Sequence, residues 1–182
     1  MKAAADGLTA LRFAIAFFII VTGFTLGKDG IGIVVVATLI GWTSDIFDGV
    51  LARRSRIIGR TWLGENDFTA DMSMVFAGFV YLAIARYIPF SYALVYLLFA
   101  SFLILYFRSK SVTELAAFPM IVLLFLISLR EVPSVGMLYV AWALVGLILF
   151  HRRFIGVVSE FFVNMQAVKK DLKAGREKKY RR

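Results

Sequence analysis

A chain of 182 residues that is 60% hydrophobic, with a mean hydropathy of +0.81, exceeds the roughly 45–50% apolar content of a soluble domain. The excess lies in long runs, so a bilayer is the expected solvent, and the absence of cysteine excludes disulfides and thiolate metal sites. The net charge of +9 does not point to a nucleic-acid partner, because eight basic residues crowd into 169–182, where a cluster beside a span attracts anionic lipids.

Six apolar runs follow one another at 8–26, 31–52, 65–88, 90–107, 113–129 and 133–150. About 20 apolar residues cross the hydrocarbon as a helix, and lipid tolerates no open sheet edge, so each run is expected to be a transmembrane helix. The breaks carry turn chemistry or charge: Gly27-Lys28-Asp29-Gly30, the basic run after Ala52, Pro89, Arg108-Ser109-Lys110 and Arg130-Glu131-Val132-Pro133. The fourth and fifth runs are short and leave little room for tilt. The first is not read as a cleaved signal, because further spans follow and no small-residue cleavage site is evident. The expectation is an all-α, polytopic integral membrane protein with six transmembrane helices and a basic cytoplasmic C-terminal tail. Its membrane domain is assigned to 1–160 and the juxtamembrane tail to 161–182. The tail's alternatives are lipid contact and a solvated disordered segment. After Phe150 the chain either extends the sixth span or bends along the interface as an amphipathic helix.

Orientation follows from the loops. Arg53, Arg54, Arg56 and Arg60 follow the second run, and Arg108 and Lys110 follow the fourth; with Lys2 and the tail they fall on one side. The opposite loops offer Lys28, Arg86 and Arg130. The positive-inside rule then puts both termini on the cytoplasmic side of a cell (inner or plasma) membrane.

The chemistry concentrates around the second basic loop. Asp45 and Asp48 share a helix face at i and i+3 near the end of the second run, and Asp67 and Asp71 share one at i and i+4 opening the third. A carboxylate inside a membrane segment costs at least about 2.5 kcal/mol, so four require compensating charge, which two hard divalent cations on shared oxygens would supply. The bland alternative pairs Asp45 and Asp48 with Arg53 or Arg56 and leaves Asp67 and Asp71 at a wet helix start. That explains either pair alone, and explains poorly two pairs joined by one loop.

The string Asp45-Ile46-Phe47-Asp48-Gly49-Val50-Leu51-Ala52-Arg53, followed by Gly64, Asp67 and Asp71, resembles the signature of the CDP-alcohol phosphotransferases, D-x2-D-G-x2-A-R-x8-G-x3-D-x3-D. The first half and the closing D-x3-D match at every fixed position. The middle departs: 13 residues separate Arg53 from Asp67 where the pattern has 12, and Gly64 stands three before Asp67 instead of four. Leu8-Thr9-Ala10-Leu11-Arg12 is similar to the L-T-x-x-R that opens the first span in many members, without the usual preceding asparagine.

The resemblance implies that Asp45, Asp48, Asp67 and Asp71 hold two divalent ions, Mg2+ or Mn2+. It implies that Gly49, Ala52 and Arg53 line the CDP moiety, and that Asp71 is also the base that deprotonates the attacking hydroxyl. It further implies a homodimer and a single displacement in which CDP-diacylglycerol gives up its phosphatidyl group and CMP leaves. The expected acceptor is a small polyol or polyol phosphate, with glycerol 3-phosphate first and inositol phosphate second. Arg108 and Lys110 are candidates for an acceptor phosphate, with simple positive-inside residues as the alternative. Arg12 either faces the same cavity or snorkels to the headgroups. His151 reads as a headgroup contact, Gly23 and Gly27 as a helix-packing step, and Trp42, Trp62 and Trp142 as interfacial or packing aromatics. Two rivals stand: a small cation transporter or channel using the acidic cluster, against which Arg53 beside the acids argues, and a family member that binds CDP-lipid without turnover.

Overall fold

The computed structural model describes residues 2–54 and 67–149, with the single helical positions 163 and 166, and the side chains of 6–47 and 68–149. Helix α1 (Lys2–Leu26) leads through a 3-10 turn (Gly27–Gly30) into α2 (Ile31–Arg54). Then come α3 (Asp67–Ile84), α4 (Phe90–Phe107), α5 (Lys110–Glu131) and the shorter apolar helix α6 (Pro133–Leu149). Among the described residues there is no strand.

Three segments are long and apolar enough to cross a membrane: Asp6–Phe47, Phe90–Phe107 and Lys110–Glu131. The first contains the Gly27–Gly30 turn, at which α1 and α2 fold back to pack on each other. Phe68–Ile84 and Pro133–Leu149 are apolar but shorter. Length and composition therefore support three candidate crossings where the sequence reading expected six. The tail apart from positions 163 and 166, the boundary at 160, His151 and Trp62 lie outside the described residues.

The helix ends have local causes. α4 has the expected bounds, set by Pro89 before it and by Arg108, which caps it in the left-handed region at φ 46°. α3 stops at Ile84, four residues short of the expected 88, because Arg86 takes φ 58°. The Arg86 N–H then donates to the Ala83 carbonyl at 3.1 Å and that of Tyr87 to Leu82 at 2.9 Å, a Schellman closure without the usual glycine. α5 is longer than expected, 22 residues in place of 113–129, and continues through Pro119.

α1 packs most extensively on α3 and α2, while α5 lies against α3 and α4. Ile15, Ile19, Val34, Val35, Met74, Leu82 and Leu124 form the centre. Gly23 brings α1 onto α3, since a Cβ there would sit 3.2 Å from Ile84 and Tyr81. Gly27, expected to pack alongside it, instead turns the chain at φ 55° and accepts a 2.8 Å hydrogen bond from the Tyr81 hydroxyl. Trp42 packs edge-on to Tyr139 and against Trp142, joining α6 to α2.

α4 buries only Ala93 and Ala100 fully, and its Phe90, Tyr92, Val95, Phe99, Phe102 and Tyr106 are exposed. Such an apolar surface is stable where lipid, not water, is the solvent. Hydroxyls within the helices are satisfied along their own helix: Thr22 donates to Phe18, Thr38 to Val34, Thr43 to Leu39 and Ser128 to Phe125, all at 2.6–2.8 Å. Carboxylates have no such local solution.

Candidate active site

Three helices meet at the end of the bundle where α2 finishes and α3 begins. Arg12 lies on α1 with its side chain fully buried, and one of its terminal nitrogens, Nη1, donates to both Asp45 of α2 and Asp71 of α3. The distances are 3.2 Å to Asp45 Oδ1 and 2.5 Å to Asp71 Oδ1. Its Nη2 donates to Thr9 Oγ1 at 3.4 Å, one turn earlier on α1, and Thr9 is itself buried. The two carboxylates keep 35% and 28% of their side chains exposed, so they remain reachable while the guanidinium closes the site from within.

The layer beneath explains this approach. One turn inward from Arg12, Asp45 and Asp71 stand Ile15, Gly41 and Met74. A Cβ at Gly41 would fall 2.5 Å from Met74 Sδ and 3.6 Å from Ile15 Cδ1. A bare backbone at this position lets α3 seat Met74 directly against α2, which sets the separation of the two helices where the aspartates face each other.

α2 runs unbroken to Arg54 and α3 opens at Asp67, so the i, i+3 and i, i+4 relations of the aspartate pairs hold along the backbone. The side chains of Asp48, Gly49, Ala52, Arg53 and Asp67 lie outside the described residues, as do Gly64, Arg56 and Arg60. Among the described residues no group of three or more His, Cys, Asp or Glu gathers as a metal site. The described part nevertheless suits a hard cation: two carboxylates from different helices are close enough to share one positive centre.

Lys110 opens α5 at the same end. Its ammonium lies 5.3 Å from the centre of the Phe68 ring, three residues before Asp71, and 3.8 Å from Glu114. An exposed i, i+4 pair of this kind is worth only about 0.3–0.5 kcal/mol, so it does little to retain the ammonium. Arg108 is exposed at the end of α4.

A groove of about 660 Å³ runs along α2 beside this site, walled by Val36, Leu39, Ile40 and Phe47, by Leu8 of α1, and by Leu138, Trp142 and Val145 of α6. Its size is that of a ligand pocket, about 300–1,000 Å³, and its walls are almost wholly apolar. Thr43 and Ser44 are its polar points, and the Trp142 indole N–H donates to Thr43 Oγ1 at 2.9 Å.

Sequence reasoning left Arg12 open and did not single out Thr9 or Gly41 as site residues. The available signal was energetic: a charge on an apolar helix either reaches the headgroups or finds a partner. The comparisons with known proteins come to one finding. The family model described as CDP-alcohol phosphatidyltransferase matches residues 2–144. Among curated proteins and among solved structures there is no match.

Proposed function

The chain belongs to the CDP-alcohol phosphatidyltransferase family, and from that premise we propose that it transfers a phosphatidyl group from CDP-diacylglycerol to a hydroxyl acceptor in phospholipid synthesis. The family is a transferase family that uses CDP-alcohol donors and alcohol acceptors and in general requires a divalent metal; with the apolar helices, it makes this a membrane protein. Glycerol 3-phosphate is the proposed acceptor, with inositol phosphate second.

The observation that carries the reading is the meeting of Asp45 and Asp71, from separate helices, at one end of an apolar bundle. Asp45, Asp48, Asp67 and Asp71 would hold two Mg2+ or Mn2+ ions, which when bound neutralise charge on the departing CMP and favour an ionised acceptor. Asp71 takes the acceptor's proton as the hydroxyl oxygen attacks the phosphorus carrying the diacylglycerol. The bond from that phosphorus to the CMP oxygen breaks, and the new phosphodiester and CMP are the products. Gly49, Ala52 and Arg53 are assigned to the CDP moiety. Lys110 and Arg108 are assigned to an acceptor phosphate, and the position of Lys110 over Phe68 supports this. The apolar groove reaching Ser44 and Phe47 suits a donor whose acyl chains stay in the bilayer. A guanidinium between the carboxylates disfavours a cation path, because a permeant ion would meet a fixed positive charge.

We further assign six crossings with both termini and the active site on the cytoplasmic side, a membrane domain over 1–160, a tail over 161–182 that contacts anionic lipids, and a homodimer. The test is CMP release by purified protein with CDP-diacylglycerol and Mg2+, offering glycerol 3-phosphate and inositol phosphate separately. Release with one acceptor that stops with EDTA is the expected result. CMP release that is unaffected by EDTA would remove the metal assignment, and no release with any hydroxyl acceptor would remove the transfer itself.

A further inference from the structure

We propose that Arg12 is the internal counter-cation of the acidic site: it pairs with Asp45 and Asp71 and opposes divalent-ion binding, which becomes an exchange against a guanidinium. The inference rests on reading these two aspartates as metal ligands. Arg12 is fully buried, and its Nη1 is within hydrogen-bonding distance of Oδ1 on both carboxylates. Thr9, also buried, accepts from its other terminal nitrogen and fixes the plane of the group. Arginine does not lose its charge at any accessible pH, so the site carries a permanent positive centre of its own.

An ion entering from the exposed side of the carboxylates either takes lone pairs that now accept from Arg12 or binds with a full positive charge one hydrogen bond away. Both routes lower affinity. The benefit lies earlier: two carboxylates at membrane depth are compensated before any metal arrives, so the bundle can form without it. A merely structural arginine has the opposite signature, since its loss would scatter the ligands and weaken metal binding. The sign of the change therefore separates the two roles.

The experiment measures Mn2+ binding to the purified full-length protein in detergent, from the electron paramagnetic resonance signal of free Mn2+, alongside thermal unfolding in EDTA and in Mn2+. Arg12→Met is expected to bind Mn2+ about tenfold more tightly than wild type, equivalent to about 1.4 kcal/mol, and to gain more thermal stability from the ion. Arg12→Lys keeps the charge and is expected to stay close to wild type. If Arg12→Met is unfolded in EDTA, Mn2+ should restore its transition, because the ion takes over the missing charge. Equal or weaker Mn2+ binding by Arg12→Met, failure of Mn2+ to restore it, or equal tightening by Arg12→Lys would each overturn the proposal. When wild type binds Mn2+ and Asp45→Asn abolishes that binding, those results sink the inference alone. No binding by wild type or any Arg12 variant sinks the metal reading with it.

Discussion

Substituting Gly41 tests whether helix spacing one turn below the aspartates sets the site. An alanine Cβ there falls 2.5 Å from Met74 Sδ, an atom at the flexible end of a side chain that is 1% exposed. Removing a mid-helix glycine gains roughly 0.5–1 kcal/mol. Moving Met74 offsets much of this, so Gly41→Ala should lie near wild type. Valine adds two methyl groups between α2, Met74 and Ile15, and overpacking of this kind costs about 1–3 kcal/mol. At about 2–4 °C per kcal/mol for a chain of this size, Gly41→Val should melt several degrees lower. Its larger effect is on catalysis: relieving the clash moves α2 off α3, and a shift of about 1 Å at reacting groups can cost on the order of 10²-fold. Thermal unfolding in detergent and CMP release in mixed micelles read the two effects, and Gly41→Val/Met74→Ala should recover much of both. Wild-type CMP release by Gly41→Val would refute the argument, because the spacing would then be set elsewhere.

Asp71→Asn removes the proposed base and a carboxylate ligand while leaving Arg12 its bond to Asp45. CMP release should fall by at least about 10²-fold with the thermal transition retained, and full activity in this variant would take Asp71 out of the mechanism. Lys110→Ala should raise the acceptor KM by about tenfold or more, the loss of one charge-assisted hydrogen bond, with little change in donor KM; equal effects on both would return Lys110 to a topological role. At the opposite end, burial first, then Glu131 and Asp29, push the Tyr87 hydroxyl above its ordinary pKa of 10.0. Its contribution is therefore intact below pH 10 and lost as the pH rises toward the folded-state value. Tyr87→Phe should flatten alkaline destabilisation in melts run from pH 9 upward, and an unchanged pH profile would show that the group does not contribute.

The fold was legible where the cause is local. Pro89 and Arg108 punctuate α4, and the expected bounds hold. The end of α3 was hidden because Arg86 adopts the left-handed conformation usually left to glycine, and α5 runs past its expected limits because Lys110 and Arg130-Glu131, read as breaks for their charge, are carried within the helix between Ser109 and Val132. At the site, the helical backbone beneath each aspartate pair could be read from the apolar runs, but the meeting of Asp45 with Asp71 across two helices could not. Nor could the burial of Arg12. Whether an arginine near a helix start snorkels or turns inward depends on how α1 is rotated, and α1 is apolar around most of its circumference, with Phe17, Phe18 and Phe24 exposed.

That same uniformity raises the question of what fixes the rotation. Hydrophobic burial is non-directional, and in lipid it does not favour one apolar face over another. Directional contacts must select the register, and the Thr22, Thr38, Thr43 and Ser128 hydroxyls do not supply them between α1, α2 and α3, because each donates within its own helix. Among the described residues, the contacts that remain across α1, α2 and α3 include steric ones at Gly23 and Gly41, and polar ones from Tyr81 to Gly27, from Tyr87 to Lys28 and from Arg12 to Asp45 and Asp71. The tyrosine contacts and the arginine contacts lie at opposite ends of α1, so together they favour one rotation and one depth. Register is therefore shared between the glycine contacts and the polar contacts at the two ends, so that loss of the Arg12 contacts alone leaves Gly23, Gly41 and the Tyr81–Gly27 bond to hold the helices in place.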